Sequence, residues 1–395
     1  MNQPRLSKGR SSVIELSISI LREILKDDRC DLEEITTMML NNTLPNELRS
    51  IVWRIMLGVL PKDRNYYDWV EITQNERNTF NKLAADQEIQ DYLKVIRKEA
   101  DNQILKQGEL LDDFILSQEN IKEIEGPAHD FFKSENVRET LLMLYVIWRK
   151  NNPDVVTKFL QPFHILADLI YCLYPSILHN ATSLKQINSR DDLDVKTLYY
   201  YLNDEEFFDS DLYAIFDKVM MQKGFKDLIN NYSNEVWQDI EYVKEKIVFN
   251  KEFFQQNDQS KLALAKLNRS EKISYVFLKI VNPNLLNHMI NNGIPINLFV
   301  QSLLTTLLMS SISFGELTYF WDNIFTHSDA NSDDAFNFID FIIVSLLNYM
   351  NDLLMNSNKD NWQDNIFKNR ENRLDNKHIM NKALKFKEKI IEALN

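Results

Sequence analysis

The chain has 395 residues, of which 44% are hydrophobic and 26% are charged, and its formal net charge is −13. This composition is typical of an ordered globular protein and excludes a disordered one. The acidic balance argues against a nucleic-acid-binding protein, because phosphate contacts need a basic surface. It also argues against adhesion of the whole surface to anionic lipid. Seven glycines and nine prolines are few for this length, which favours helices joined by short polar turns.

The compartment is indicated by cysteine content and hydropathy. Cys30 and Cys172 are too few for a disulfide framework or a zinc site, so we expect a protein of the reducing cytoplasm. Residues 1–10 are polar and show no secretory signal. The longest apolar stretches, Leu298–Met309 and Phe338–Leu347, fall short of the ~18 residues that a membrane span needs. We therefore predict no integral membrane segment.

Helical periodicity begins near the start of the chain. Residues 1–40 are predicted as a helical extension, with the pattern clearest over 11–40. In LPNELRSIVWRIMLG, residues 44–58, Pro45 suits the first turn of a helix and Gly58 suits its end. Further helices are expected around 66–87 and 88–107, from Val137 to Trp148 behind a cap at Ser134, and from about Pro162 to Leu173.

The second half continues the pattern. A polar connection is predicted at 179–200 and a linker-like stretch at 255–270. The helices are predicted at Asp211–Met221 and onward with breaks to Phe254, then at Ile273–Val281, Leu285–Asn291, Ile296–Met309, Gly315–Phe325 and Ala335–Asn356, with a charged helix at the end. No internal repeat of fixed period is visible. The sequence therefore predicts an all-α fold.

The C-terminal stretch differs in charge from the rest. Lys359–Leu394 holds nine basic and six acidic residues, a net charge of +3. A solvated helix face is the ordinary interpretation of such a run. A membrane or partner contact is the alternative.

Sequence signatures of small-molecule catalysis are absent. The six histidines are scattered, and the sequence holds no H-E-x-x-H helix, P-loop, glycine-rich dinucleotide turn or G-x-S-x-G elbow. We therefore expect a helical protein that acts on another protein and has no small-molecule substrate of its own.

Three stretches together resemble the TBC domain of Rab GTPase-activating proteins. Residues 44–58 resemble the family's opening P-x-x-L-R-x-x-V-W-x-x-L-L-G. FFKSENVR at 131–138, followed by a helix, an Asn-Pro turn and Gln161, resembles the approach to Y-x-Q-G-M. LTYFWDNIF at 317–325 resembles W-D-x-I-F near the domain's end. The resemblance spans roughly 40–355 and is closest to the branch that acts on endosome or Golgi Rabs.

This resemblance implies a two-lobed helical domain at 41–355, with an N-lobe to about 210 and a C-lobe from about 211, followed by a charged tail at 356–395. The implied function is GTPase activation in vesicle trafficking, and the implied partner is a Rab-family small GTPase. That GTPase holds GTP and Mg itself, so no cofactor of this chain is expected. The implied location is cytoplasmic, and peripheral association with Golgi or endosome membranes is left open.

The family uses two side chains to accelerate hydrolysis, an arginine from I-x-x-D-x-x-R and a glutamine from Y-x-Q-G. They stabilise transition-state charge and orient the attacking water. Gln161 is the matching glutamine, with Pro162 in place of the family glycine. The best match for the arginine segment is 96–102, in which Glu99 takes the acid position and Asn102 the arginine position. Gln161 and 96–102 are predicted to line one groove between the lobes.

The departure at Asn102 leaves two main hypotheses. An arginine finger contributes on the order of 10³–10⁵ in rate, and asparagine is uncharged. Arg97 is a substitute candidate, but it lies about 140° away on the helix surface. The chain is either a Rab activator with a degraded arginine finger or a catalytically inactive TBC-fold scaffold that binds or tethers a Rab. A helical adaptor without a GTPase partner is a third alternative. Arg49 and Arg138 are interpreted as packing or acid-pairing residues.

Overall fold

The structure is a computed structural model that describes residues 8–25, 30–62, 65–91, 93, 131–132, 134–153, 161–177, 193–222, 224–232, 267–309, 312, 314–328, 336–362 and 374–394. Throughout these ranges the regular elements are helices, which confirms the all-α prediction. Within the same ranges, no helix is both long enough and apolar enough to cross a bilayer.

The described residues up to 222 include eight α-helices. They are α1 (Lys8–Ile24), α2 (Leu32–Leu40), α3 (Asn46–Met56), α4 (Asp68–Ala84), α5 (Glu135–Asn151), α6 (Gln161–Leu173), α7 (Val195–Leu202) and α8 (Phe208–Met220). Short 3-10 turns, Tyr174–Ser176 and Glu205–Phe207, follow α6 and precede α8.

The described residues from 224 onward begin with α9 (Phe225–Tyr232). A continuous helical stretch then consists of α10 (Arg269–Glu271), a π-helical part (Lys272–Phe277) and α11 (Leu278–Val281). The remaining helices are α12 (Pro283–Asn291), α13 (Ile296–Thr305), α14 (Phe314–His327), α15 (Phe338–Tyr349), α16 (Asn351–Met355) and α17 (Asn376–Leu394).

The helices form two packing groups that share one helix. In the first group, α8 packs against α4, α5 and α6, while α1 packs against α2, α3 and α7. In the second, α15 packs against α13 and α17, and α9 packs against α13. Helix α14 packs against α2, α3 and α6 of the first group and against α15 and α17 of the second. Among the described residues, α14 therefore joins the two packing groups.

The predicted limits at 40, 210 and 355 stay predictions. The contacts place α1 and α2 on α3 and α14, and place α17 on α11, α14 and α15. Both ends of the described chain thus pack on the helices between them. Helix α8 spans the predicted lobe limit and packs with the first group.

Helix α3 illustrates how the local sequence sets an element's bounds. Pro45 is its N-cap residue, in extended conformation, and the helix ends before Gly58, whose φ of +76° is the left-handed geometry that glycine adopts without strain. Its apolar residues Leu48, Ile51, Val52 and Ile55 are buried. Arg49, Trp53 and Arg54 are buried as well, so α3 is enclosed on nearly every face.

Three local predictions differ from the structure. The predicted connection at 179–200 is wrong over its last residues, because Asp194 caps α7 by accepting from the Thr197 N–H at 2.6 Å. The predicted helix Ala335–Asn356 is interrupted at Met350 between α15 and α16. Ser134 occupies the N-cap of α5, but its side chain makes no capping hydrogen bond there.

Candidate functional site

The two family-like motifs at either end of the domain meet in a buried ion pair. Arg49 on α3 donates to Asp322 on α14 from Nε at 3.0 Å to Oδ1 and from Nη2 at 3.0 Å to Oδ2. Both side chains are withdrawn from solvent, at 4% and 0% exposure. Trp53 Nε1 donates to Asp322 Oδ1 at 2.7 Å. This confirms the prediction that Arg49 pairs with an acid.

Aromatic rings surround this pair. Trp53 lies 5.8 Å from Trp321 and 5.1 Å from Phe325, centroid to centroid, the latter in an edge-on arrangement. Trp53 and Trp321 are 0% exposed. The rings exclude water from the ion pair, which strengthens its electrostatic attraction. The junction of α3 and α14 is therefore a closed structural clamp and not an open binding surface.

Further polar contacts fix α14 to its neighbours. Tyr319 Oη donates to the Leu40 carbonyl at 3.0 Å at the end of α2. Trp321 Nε1 donates to the Leu307 carbonyl at 2.8 Å, in the turn that follows α13. Leu307 and Leu308 both have positive φ, 47° and 76°. Because leucine rarely adopts this geometry, the surrounding packing must hold the turn in place.

Gln161 is the first residue of α6. The prediction of a helix beginning near Pro162 and ending at Leu173 is confirmed. The Gln161 side chain lies outside the described part of the structure. Helix α6 packs against α3, α5, α8 and α14, and Leu166 and Leu169 on it are 0% exposed. The backbone at Gln161 is thus carried by a helix that is enclosed along its length.

Helix α6 is tied to α14 near its C-terminal end. Cys172 Sγ lies 3.2 Å from Thr318 Oγ1, and Thr318 stands one helical turn before Asp322. Burial raises the pKa of the Cys172 thiol to about 12. A thiol that stays protonated is a poor nucleophile, so Cys172 serves packing and anchoring, and the clamp extends to the helix that Gln161 begins.

Asp168 is the most unusual group on α6. It is 0% exposed, and within the described ranges neither carboxyl oxygen has a hydrogen-bond partner. Desolvation raises its pKa well above the ordinary value. One turn earlier on the same helix, burial lowers the pKa of His164 to about 4. Sequence inspection missed Asp168, whose signal is a single acid inside the apolar run ILADLI at 165–170.

A second buried charge cluster joins α3, α4 and α8. Arg77 donates to both oxygens of Asp211, at 2.9 and 2.7 Å, and lies over the rings of Tyr201 and Phe207 at 4.5 and 4.2 Å. Arg54 Nη1 lies 3.3 Å from the same carboxylate. No local sequence pattern predicts this cluster, because its members lie on separate helices.

Of the remaining predicted site residues, only Arg138 lies within the described residues. Arg97, Glu99 and Asn102 lie outside the described residues, as does the whole of 96–102, so the shared groove with Gln161 stays a prediction. Arg138 donates from Nε to the Phe132 carbonyl at 2.9 Å, a local contact at the start of α5. Among the described residues, no group of three or more His, Cys, Asp or Glu side chains is arranged to hold a metal ion.

Known proteins share this architecture and parts of this sequence. The family model for the Rab-GTPase-TBC domain matches residues 249–355. The solved structure of the Ypt/Rab-GAP domain of Gyp1p superimposes with a TM-score of 0.57 at 15% identity, covering 95% of this chain and 98% of that one. Human TBC1 domain family member 5 is 24% identical over 327 residues, 79% of this chain and 38% of the relative. The described chain thus has the TBC fold, and residues 249–355 match the TBC family model.

Two further relatives agree with the TBC assignment. Mouse TBC1 domain family member 5 is 23% identical over 333 residues, 79% of this chain and 37% of its own length. Bovine TBC1 domain family member 7 is 44% identical over 41 residues, 10% of this chain and 14% of the relative. The chain therefore spans less than two fifths of the length of these curated relatives. The likeness to the solved structure shows the TBC fold alone.

Proposed function

We propose that this chain is a GTPase-activating protein for a Rab-family small GTPase in vesicle trafficking, with Gln161 as its glutamine finger. The observation that carries the proposal is the position of Gln161. It begins α6, the helix that Cys172 and Thr318 link to α14, in a chain whose fold matches a Ypt/Rab-GAP domain. The contact between Cys172 and Thr318 lies about 16 Å along α6 from Gln161, because an α-helix rises about 1.5 Å per residue.

The chemistry suits a carboxamide at this place. Rab-type hydrolysis is slow when the attacking water is not oriented and the charge on the transferring phosphate is not neutralised. A glutamine side chain both donates and accepts hydrogen bonds, so it can hold that water in line. A rigid helix start limits the conformational freedom that the side chain loses when it engages the GTPase. Pro162 in the first turn adds to this rigidity but removes one backbone donor.

The arginine position is the weak part of the mechanism. With Asn102 where the family places its arginine, the activator lacks the charge that contributes on the order of 10³–10⁵ in rate. Gln161 alone then accounts for water orientation and leaves phosphate charge to the GTPase's own lysine and metal. We therefore propose a low acceleration compared with a two-finger activator.

Asn102 also supports the second candidate function, a catalytically inactive scaffold that binds or tethers a Rab. A TBC fold that had lost its charged finger would keep the binding surface and lose the rate enhancement. The scaffold hypothesis requires that this chain bind the GTP-loaded GTPase without changing the rate of GTP hydrolysis.

Single-turnover GTP hydrolysis with a panel of Rab proteins separates the two functions. We expect acceleration of one or more Rabs by the full chain and loss of that acceleration in Gln161→Ala. Gln87→Ala is the matched control, because Gln87 is an exposed glutamine whose amide bonds only locally to Asp91. If Gln161→Ala and Gln87→Ala behave alike while wild type accelerates hydrolysis, the glutamine-finger assignment is wrong.

A gain-of-function substitution tests the arginine position. Asn102→Arg should raise the single-turnover rate by about 10-fold or more if the alignment is correct, because it restores the missing charge. Lys98→Arg in the same segment is the control for an added guanidinium at another position. GTP-dependent Rab binding by a chain that accelerates no Rab, with or without Asn102→Arg, would favour the scaffold.

A further inference from the structure

Helix α17 has one face committed to the core and one face free. Ile379, Met380, Ala383 and Ile390 are at most 1% exposed, and the helix packs against α11, α14 and α15. Residues on the opposite side are exposed. The position of the helix is therefore fixed by packing, and its outer face is presented to whatever lies outside the domain.

Basic side chains line one strip of that outer face. His378, Lys382, Lys385 and Lys389 follow each other at intervals of four, three and four residues, which places them within about 60° of the helix circumference and along about 16 Å. His378, Lys385 and Lys389 are exposed and Lys382 is partly exposed. We call these four residues the basic ridge.

The basic ridge lies beside two exposed glutamates of the same helix, Glu388 and Glu392, but its charge exceeds theirs. Among the described residues, its three lysines form no ion pair, whereas Lys196 and Lys150 elsewhere do. Lys387 on the same helix, by contrast, contacts neighbouring residues of the core. It donates to the His327 carbonyl at 3.2 Å and lies 5.5 Å from the centre of the Phe338 ring. The helix carries five lysines and two glutamates, a net of +3, in a chain of net charge −13.

The shape and chemistry of the ridge select its partner. It is a convex row on one helix, whereas peptide ligands are bound in grooves or at strand edges that enclose their side chains. Its cations are lysines, which act as point charges and lack the forked geometry by which arginine recognises single phosphates or carboxylates. A planar array of anionic headgroups can contact a convex row along its full length.

We propose that the basic ridge of α17 docks the domain onto an anionic phospholipid surface. The strongly acidic remainder of the chain is repelled by the same surface, so the ridge also orients the domain with α17 towards the lipid. The contact is electrostatic and reversible, because salt screens exposed charges. It does not depend on GTPase activation and is measured without any GTPase present.

The test is co-sedimentation of the full chain with phosphatidylserine/phosphatidylcholine vesicles at low salt, compared with vesicles of phosphatidylcholine alone. We expect binding to the anionic vesicles only, and its loss at high salt. The triple variant Lys382→Gln, Lys385→Gln, Lys389→Gln should partition roughly 100-fold more weakly, since each lysine near an anionic surface contributes roughly fivefold.

Two control variants keep the result specific. Lys82→Gln, Lys196→Gln, Lys218→Gln removes the same charge from exposed lysines on other helices, and should bind like wild type. Lys382→Arg, Lys385→Arg, Lys389→Arg keeps the charge of the ridge and should also bind like wild type. Thermal unfolding of each variant verifies that it is folded.

Three outcomes would overturn the proposal. The first is wild-type chain that fails to sediment with phosphatidylserine vesicles at low salt. The second is a Lys→Gln ridge variant that binds as tightly as wild type or no more weakly than the control variant. The third is ridge-dependent binding to poly-glutamate without binding to vesicles, which would assign the ridge to an acidic protein partner.

Discussion

Substitution of Asp322 by alanine removes the carboxylate that joins α3 to α14. Arg49 would remain buried without a charge partner, and the Trp53 indole would lose its acceptor at 2.7 Å. Removal of one member of a buried ion pair costs about 3–5 kcal/mol. The orphaned indole N–H adds a desolvation penalty of about 1 kcal/mol or more. We therefore expect a loss of about 4–6 kcal/mol in unfolding free energy.

Thermal unfolding measures this loss directly. A chain of 395 residues has an unfolding entropy of about 0.8 kcal/mol/K, so Asp322→Ala should lower Tm by roughly 5–7 °C. Circular dichroism follows the helices, and tryptophan fluorescence reports on Trp53 and Trp321 beside the mutated position. Asp227→Ala removes an exposed aspartate on α9 and should change the unfolding free energy by no more than about 0.5 kcal/mol.

A double-mutant cycle with Arg49→Met separates the ion pair from the loss of packing. If the penalty comes from an unpaired buried charge, the double variant should be at least about 1 kcal/mol more stable than the sum of the two single losses. Strict additivity would show that the two side chains stabilise the fold independently. An Asp322→Ala variant that unfolds within about 1 kcal/mol of wild type would refute the reasoning outright.

Three further predictions concern the other buried polar groups. Asp168→Asn should be more stable than wild type at neutral pH and lose this advantage as the pH falls towards 4, measured by urea unfolding across pH. The folded-state pKa of Asp168 is raised, so the folded form keeps a proton that the unfolded form releases above its ordinary pKa, and wild-type stability falls as the pH rises. Asp211→Ala should cost about 3–5 kcal/mol in unfolding free energy, because two buried arginines share that carboxylate; a urea midpoint like that of wild type would contradict this. In a Cys30→Ser background, Cys172 should react with an aromatic disulfide reagent at pH 8 only as fast as the protein unfolds, since burial raises its thiol pKa to about 12, and rapid labelling of folded protein would show that the thiol is accessible.

Local features of the fold were predictable where periodicity and turn chemistry agree. The bounds of α3 follow from Pro45, Gly58 and an apolar stripe, and all three signals are local in the chain. The start of α6 at Gln161 follows from Pro162 in the same way. Helix α7 was missed because its apolar stripe, Leu198, Tyr199 and Leu202, is short and follows a long polar stretch.

The polar contacts of the interior were harder to predict from the sequence. An acid partner for Arg49 could be expected in kind, but Asp322 is 273 residues away, and only the packing of α3 on α14 selects it. Asp168 violates the rule that buried acids are paired. A pattern of residue types cannot show such a group, since an aspartate in an apolar run predicts either a partner or a solvent-facing position.

The family match concerns residues of the scaffold, and the proposed catalytic residues lie outside the matched region. The region that matches the family model, 249–355, includes α14, whose Asp322 and Trp321 hold the lobes together through buried contacts. These residues are signatures of the scaffold, because they are sealed from any partner. Gln161 and Asn102, on which the catalytic proposal rests, both precede that region. A chain can therefore keep the recognisable TBC scaffold while its catalytic positions change, and hydrolysis measured with Gln161→Ala and Asn102→Arg bears on function more directly than any further likeness in the C-lobe.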